Sequence, residues 1–469
     1  MTARHPAPTD RFDRRLLAPM MLGSILNPVN SSIIAVALVP IGVGLGAPAA
    51  ETAWLISALY LATAIGQPLV GRLVDLYGAR RLFLAGAVLT IVAGVVGTLA
   101  PSIWVLVAAR VVLGLGTCAG YPAAMALIRG EADRTGMASP SGVLAALSVA
   151  TQTIAVVGPS LGGLLIGIGG WRSTLVVNVV LGLASLVLGW LFVPATPPGR
   201  QAAGQMRDGT ARLDTVGVGL FAALLLGMLV FLMDPTPARL WLPALAVVAG
   251  VAFTRWELRR PEPFIDVRVF AGNVPLLLTY ARSLVASTVS YCFLYGFTQW
   301  LEQGRGFSPS GTGLLLLPTF AVGIVATVVA GRRGTVRVKL VVGAVAQLLA
   351  AGMILLLGDG APVWLLLGVV VMLGLPQGLV NLSNQTALYH QARRDKVGVS
   401  AGLLRTFMYL GAMVASSTAG LVFGRQATTT GLHGLGLVML VAAAVFLVLA
   451  VADRGLAAID AGEREAARR

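Results

Sequence analysis

Acidic residues are scarce in this chain, with 19 Asp and Glu against 34 Lys and Arg in 469 positions, and there are only 3 His and 2 Cys. Two cysteines cannot build a disulfide framework or a Cys-rich metal cluster. Both Cys118 and Cys292 fall inside apolar runs, where small apolar packing is the expected role. His5, His390 and His433 have no ligand partner at metal spacing. There is no Walker-type phosphate loop and no Ser/His/Asp constellation, so an ATP-driven pump is excluded unless a separate subunit supplies the ATP loop. The same absences predict that the chain is not an enzyme and carries neither a cofactor nor a metal.

What fills the chain instead is apolar. It is 57% hydrophobic and 11% charged, with a mean hydropathy of +0.86, more apolar surface than a soluble globule could keep from water. An integral membrane protein follows, with the lipid bilayer as its solvent. About 20 residues cross a bilayer as helix. Apolar runs and polar breaks place spans near 16–44, 52–70, 82–100, 103–127, 141–168, 173–193, 214–233, 239–255, 273–299, 311–331, 339–357, 363–387, 398–423 and 433–452. The predicted fold class is therefore all-α: two six-helix bundles with two inserted spans, fourteen in all. The predicted divisions are an N-terminal tail (1–15), a first bundle (16–196), a linker with the two extra helices (197–272), a second bundle (273–452) and a C-terminal tail (453–469).

A net charge of +15 could suggest a nucleic-acid binder, but the placement of the charges argues against one. With the N-terminus inside, 27 of the 34 Lys and Arg fall in cytoplasmic segments. Four lie outside (Arg172, Arg239, Arg305, Arg425) and three within spans (Arg110, Arg282, Arg405). That asymmetry is the positive-inside rule, and it predicts a multi-pass protein with both termini cytoplasmic. Ala47-Pro48-Ala49-Ala50 resembles a signal-peptidase site, but the apolar stretch before it is too long for a signal h-region, so an uncleaved first span is expected.

Residues 71–81, Gly-Arg-Leu-Val-Asp-Leu-Tyr-Gly-Ala-Arg-Arg, form a charged break between the second and third spans. Gly71 is expected to let a helix end approach its neighbour. Asp75 can accept from a helix N-terminus or pair with an arginine. Gly78 suits a left-handed turn position, and Arg80 with Arg81 hold the loop on the inner face. The run resembles the loop between spans two and three of the major facilitator superfamily, roughly G-x-L-a-D-r-x-G-r-k, with Leu76 and Ala79 as departures. Leu106, Arg110, Gly114 and Gly116 are similar to that superfamily's fourth-span pattern, although Leu113 replaces a usual glutamine. Gly158-Pro159-Ser-Leu-Gly162-Gly163 resembles the fifth-span G-P-x-x-G-G of its exporters, with Ile154 where an earlier glycine is common. Proline removes a backbone hydrogen bond and the glycines permit close helix approach; ordinary packing is the alternative to a role in transport direction.

A weak internal echo supports a repeated architecture: Leu113-Gly-Leu-Gly116 and Leu373-Gly-Leu-Pro376 would be symmetry mates once spans seven and eight are set aside. That arrangement, with Trp171-Arg172, Asn178, Pro261 to Asp266 and Gly306 to Pro318, resembles the fourteen-span drug:proton antiporter branch. The resemblance implies a monomeric secondary transporter of small molecules coupled to protons, and it implicates Arg110 in that coupling.

Ionisable residues within spans mark functional positions, because a charge at mid-bilayer costs on the order of 3 kcal/mol. Here they are the three arginines, and snorkelling to the interface is an equal account of Arg282 and Arg405. The resemblance leads one to expect an acid in span one. Aligning Val36-Ala37-Leu38 puts Asn30 there instead, with Asn27 one turn earlier, and asparagine takes up no proton near neutrality. Glu302 is then the remaining proton carrier. Tyr291, Tyr295, Gln299 and Glu302 follow a 4, 4, 3 spacing that places them on one helical face, lining a cavity or forming an interfacial aromatic belt. Gln377, Asn381, Asn384 and Gln385 share a face in span twelve. With Asn27, Asn30, Gln67, Tyr121, Gln152, Tyr409, Arg282 and Arg405 they are expected to line a central polar cavity, some only bridging helices.

The expected function is export of small amphipathic compounds by alternating access, with proton antiport implied by the resemblance. The alternative is export of organic anions or lipid-like acids with weak or no proton coupling, favoured by arginines without buried acids.

Overall fold

The computed structural model describes residues 13–135, 141–194, 214–233, 235–260, 263–265, 267–269, 272–332, 335–392, 397–453 and 455–456. Most of both tails and the first part of the linker, 197–213, lie outside the described residues. Among those described there are helices and turns and no strand.

The first bundle is built from α1 (Leu17–Leu45), α2 (Ala49–Tyr77), α3 (Ala79–Thr98), α4 (Ile103–Thr117), α5 (Gly120–Thr135), α6 (Ser141–Gly169) and α7 (Ser173–Phe192). Then come α8 (Thr215–Met233) and α9 (Trp241–Arg259). The second bundle holds α10 (Val274–Tyr291), a π-helical stretch (Cys292–Phe297), α11 (Thr298–Gln303), α12 (Pro309–Arg332), α13 (Val336–Leu355), α14 (Val363–Gln391), α15 (Val397–Phe423) and α16 (Thr429–Ala452). Thirteen helical stretches among the described residues are long and apolar enough to cross a membrane, with α4–α5 and α10–α11 each counted as one.

Side chains that face outward are large and apolar, as lipid requires: Trp190, Val248, Leu314 and Val441 are all at least 60% exposed. The closest helix crossings in the interior use small residues. Gly23 of α1 crosses Gly120 at the α4–α5 break so closely that a Cβ on Gly120 would collide with the Gly23 carbonyl.

Packing repeats between the bundles. α4 lies against α2 and α3 as α14 lies against α12 and α13; α1 packs on α6 and α3 on α7, as α10 packs on α15 and α13 on α16. The echoed glycines sit at matching contacts, Gly114 against the Leu59 carbonyl of α2 and Gly374 against the Thr319 carbonyl of α12. The bundles meet along α2–α15 and α6–α12. α8 and α9 form a hairpin, with α8 resting on α2 and α15 and Met233 accepting a hydrogen bond from Ser417 at 3.3 Å. The end where α1 begins is called the tail end, and the opposite one the far end.

Two expectations about the 71–81 segment change. Instead of a loop, α2 continues to Tyr77 and Gly78 alone turns the chain, at φ 87° and ψ 151°, a region open to glycine. Gly71 faces open space, with no atom within 4 Å of the place a Cβ would take, so it does not serve close helix approach. Arg80 does hold the turn, donating to the Trp190 carbonyl of α7 at 2.8 Å, and Arg81 is exposed. The side chains of Asp75 and Gln152 lie outside the described residues.

Candidate functional site

Between the bundles lies a cavity of about 400 Å³ walled by α1, α2, α4, α5, α6, α10, the π-helical stretch, α12, α14 and α15. Of the residues expected to line it, Asn27, Gln67, Tyr121, Tyr291, Gln377, Asn381, Asn384 and Arg405 do so, with Gln385 and Tyr409. The amides of α14 share a wall as their spacing predicts, Gln385 donating to Asn381 at 3.2 Å. Asn384 is 3% exposed and its Oδ1 has no hydrogen-bond partner, leaving an acceptor for a bound molecule.

Four expected members lie elsewhere. Asn30 is buried beside the cavity, donating to Asn178 Oδ1 at 2.7 Å and to the Leu26 carbonyl at 2.8 Å. Arg282 is fully buried and ion-paired with Asp453, which the sequence assigns to the free C-terminal tail. Arg282 also donates to Thr279 Oγ1 at 2.6 Å. It therefore clamps α10 to the end of α16 rather than facing substrate or snorkelling. Tyr295 and Gln299 are buried off the cavity wall. The cause is the π-helical stretch Cys292–Phe297, whose wider turn breaks the expected single face after Tyr291.

Tyr295 instead bonds Tyr60 of α2, hydroxyl to hydroxyl at 2.9 Å, and donates to the Ser31 carbonyl at 3.4 Å. Tyr60 stacks on Tyr409 at 5.3 Å between centroids, and Tyr291 on Tyr295 at 5.5 Å. This four-ring cluster joins the bundles on the far side of the cavity. Tyr60, a single tyrosine in an apolar run, carries no sequence signal for this role. Ser283, Ser287 and Ser290 also line the wall, and their 4, 3 spacing is the signal by which the sequence could have revealed them.

Arg110 is 2% exposed on α4. Its Nε donates to the Leu55 carbonyl at 3.0 Å and its Nη1 to Asn30 Oδ1 at 3.5 Å, while Nη2 has no partner. Glu302, near the end of α11, is 9% exposed, and neither carboxylate oxygen has a hydrogen-bond partner. It is not part of the cavity wall.

The far end is sealed by paired small-residue contacts. Ser160 of α6 donates to the Gly313 carbonyl of α12 at 3.0 Å, and Ser310 of α12 returns a bond to the Gly163 carbonyl at 2.8 Å. A Cβ on Gly163 would lie 2.6 Å from the Pro309 carbonyl oxygen, and one on Gly313 the same distance from that of Pro159. Gly158 and Gly162 face α1 instead, against Ser32 and Val36. On the α2–α15 side, Ser416 donates to the Ala53 carbonyl at 2.7 Å and Ala50 N–H to the Gly424 carbonyl at 2.9 Å. Toward the tail end, Arg405 reaches across to Tyr121, its guanidinium carbon 3.6 Å from the ring centroid. Beyond the spans at that end, Arg134 donates from Nε to Glu131 Oε2 at 2.9 Å, and Asp13 N–H donates to Glu131 Oε1 at 2.8 Å. The Arg134 hydrogen bond holds the Glu131 carboxyl below the usual glutamate range.

Among the described residues no group of three or more His, Cys, Asp or Glu is arranged to hold a metal.

Residues 20–416 match the family described as the Major Facilitator Superfamily. The chain is 31% identical over 449 residues to the "Uncharacterized MFS-type transporter YwoD" of Bacillus subtilis (strain 168), covering 93% of this chain and 96% of that one. It is 28% identical over 394 residues to the "Multidrug resistance protein Stp" of Mycobacterium tuberculosis (strain CDC 1551 / Oshkosh), covering 80% of this chain and 70% of that protein. Among solved structures, the nucleoside transporter NupG superposes with a TM-score of 0.64 at 13% identity, over 95% of this chain and all of that chain, a likeness of fold alone.

Proposed function

Because this chain belongs to the Major Facilitator Superfamily, and is thus a multi-pass membrane transporter rather than an enzyme, we propose that it exports small amphipathic compounds by alternating access coupled to protons. The observation that carries this reading is the polar-aromatic cavity between the bundles, closed toward the far end by reciprocal Ser–Gly contacts. Contacts between small residues can part and re-form without exposing large apolar surface, so the bundles can rock about the central site. The name of the mycobacterial relative, a multidrug resistance protein, supports an exported compound.

In this reading the chain has fourteen spans, α6 completing the count, with α8 and α9 as an insertion between two six-span bundles. The tail end faces the cytoplasm of a bacterial inner membrane and the protein acts as a monomer. Gly78 with Arg80 and Arg81 keeps α2 and α3 in register as the first bundle moves, and Asp75 belongs to the same element. Glu302 carries the proton: it takes one up from the outer water when the far end opens, burial without donors keeps the acid neutral as that end closes, and the proton passes to the cytoplasmic side as the compound is exchanged for it. Arg110, unpaired at Nη2, takes part in the coupling, a role supported by its place in the fourth-span pattern.

The test is flux in liposomes containing the purified protein, using cationic, neutral and anionic aromatic compounds with and without an imposed pH gradient. Gradient-driven flux that Glu302→Gln abolishes is the expected result. Gradient-independent flux removes proton coupling, and unchanged flux in the variant removes Glu302 from the mechanism.

A further inference from the structure

Among the described residues lining the cavity there is no Asp, Glu, Lys or His, and Arg405 alone carries a charge at neutral pH. The arginine is half-buried, and no described carboxylate pairs with it. Its stacking on Tyr121 covers a face of the guanidinium. The N–H donors of a guanidinium point outward in the plane of the group, so a ring on its face leaves in-plane donors for a ligand beside the Tyr409 hydroxyl that Arg405 also meets. A carboxylate that accepts two of those N–H groups forms a bidentate, charge-assisted pair, a stronger contact than the ring provides.

Next to this cation the wall is aromatic. Tyr291 and Tyr409 both line the cavity and belong to the layered cluster in which Tyr60 packs edge-on against Tyr291 at 5.5 Å and stacks on Tyr409. Ring faces and edges at such spacing favour a flat apolar body. A volume of about 400 Å³ holds a bicyclic ring system with room for water. A cation would lose its hydration here and meet an arginine, with no carboxylate to compensate. A neutral compound would leave the guanidinium edge unused.

We propose that the cavity takes aromatic organic acids, with Arg405 holding the carboxylate and Tyr291 and Tyr409 packing on the ring system. The assignment rests on the transporter reading and names its substrate class. It also separates the three arginines within spans: Arg282 is committed to Asp453, Arg110 is buried behind Asn30, and only Arg405 meets the cavity.

The test is equilibrium binding to the purified full-length protein in detergent at pH 7, by titration calorimetry. The probes are 1-naphthoate, 1-naphthylmethanol and 1-naphthylmethylammonium, which share a ring system and differ in charge. Naphthoate is expected to bind about 10-fold or more tighter than the other two, the scale of one charge-assisted contact. Arg405→Gln should remove that preference, and an unfolding temperature close to the wild type's shows that the variant is folded. Arg405→Lys should keep most of it. Equal affinities in the wild-type protein, absence of naphthoate binding, or a preference that survives Arg405→Gln overturns the proposal. The wild-type ranking decides the matter even if a variant fails to fold. Since no gradient or membrane is involved, such a result leaves the export reading to the flux experiment.

Discussion

Asn30 Oδ1 lies 3.5 Å from Arg110 Nη1, and the same amide donates to Asn178 Oδ1 at 2.7 Å, so one neutral side chain links α1, α4 and α7 around a buried cation. The guanidinium has no carboxylate partner among the described residues and keeps one nitrogen unbonded.

Asn30→Ala removes the acceptor of Arg110 and the donor to Asn178 together. Buried groups left without partners cost about 1–3 kcal/mol each, so thermal unfolding in detergent should shift down by several degrees. Asn27→Ala, on the cavity wall, should shift it far less and weaken ligand binding instead. Equal stability effects at the two positions would contradict this division.

Arg282 and Asp453 are buried to 0% and 1% side-chain exposure. Removing one partner of such a pair strands the other charge, at about 3–5 kcal/mol. Asp453→Asn should therefore destabilise strongly, and the double variant Arg282→Met with Asp453→Leu should recover most of the loss. Thermal unfolding of the three proteins measures it; a double variant as weak as the single one would show that the pair itself, not the stranded charge, matters.

A side chain at Gly163 cannot be placed without moving α12, since its Cβ would meet the backbone of Pro309 and Ser310 at 2.6 and 2.7 Å. Gly163→Val should part α6 from α12. Spin labels at Ile168→Cys and Ser308→Cys, both exposed, should report a longer and broader distance distribution in the valine variant. An unchanged distribution would mean that the far end yields elsewhere.

The Glu131 carboxyl is held below its ordinary value by Arg134. A depressed carboxyl contributes stability above the unfolded glutamate value, about 4.3, and loses it as pH falls through the folded value. Glu131→Gln should thus be less stable than wild type at pH 7, with the difference shrinking as the pH is lowered below about 4.3. Unfolding temperatures of both proteins across that range check it, and a gap that persists at low pH would rule the contact out as its source.

Much of the fold was legible because helix length and hydropathy are local properties: α1, α3 and α13 begin and end close to the apolar runs that predicted them. The amide face of α14 was legible for the same reason, since periodicity 3.6 survives in an unbroken helix. Other features depend on partners distant in the chain. Arg282 finds Asp453 171 positions away, so its role could not be read from its own span. The stripe from Tyr291 to Glu302 was misplaced because a π turn changes the register, and nothing in Cys292–Phe297 marks that turn by composition. Tyr60 matters only because α2 of one bundle meets the π-helical stretch of the other.

The central claim is that one cavity opens alternately to the two sides of the membrane. Counterflow tests it most directly: liposomes containing the protein are loaded with unlabelled 1-naphthoate and diluted into tracer, and the same is done with 1-naphthylmethylammonium, without any ion gradient. A carrier of this design should draw tracer transiently above its equilibrium level for at least one of the two. A monotonic approach to equilibrium, or no protein-dependent entry of either, would contradict the account.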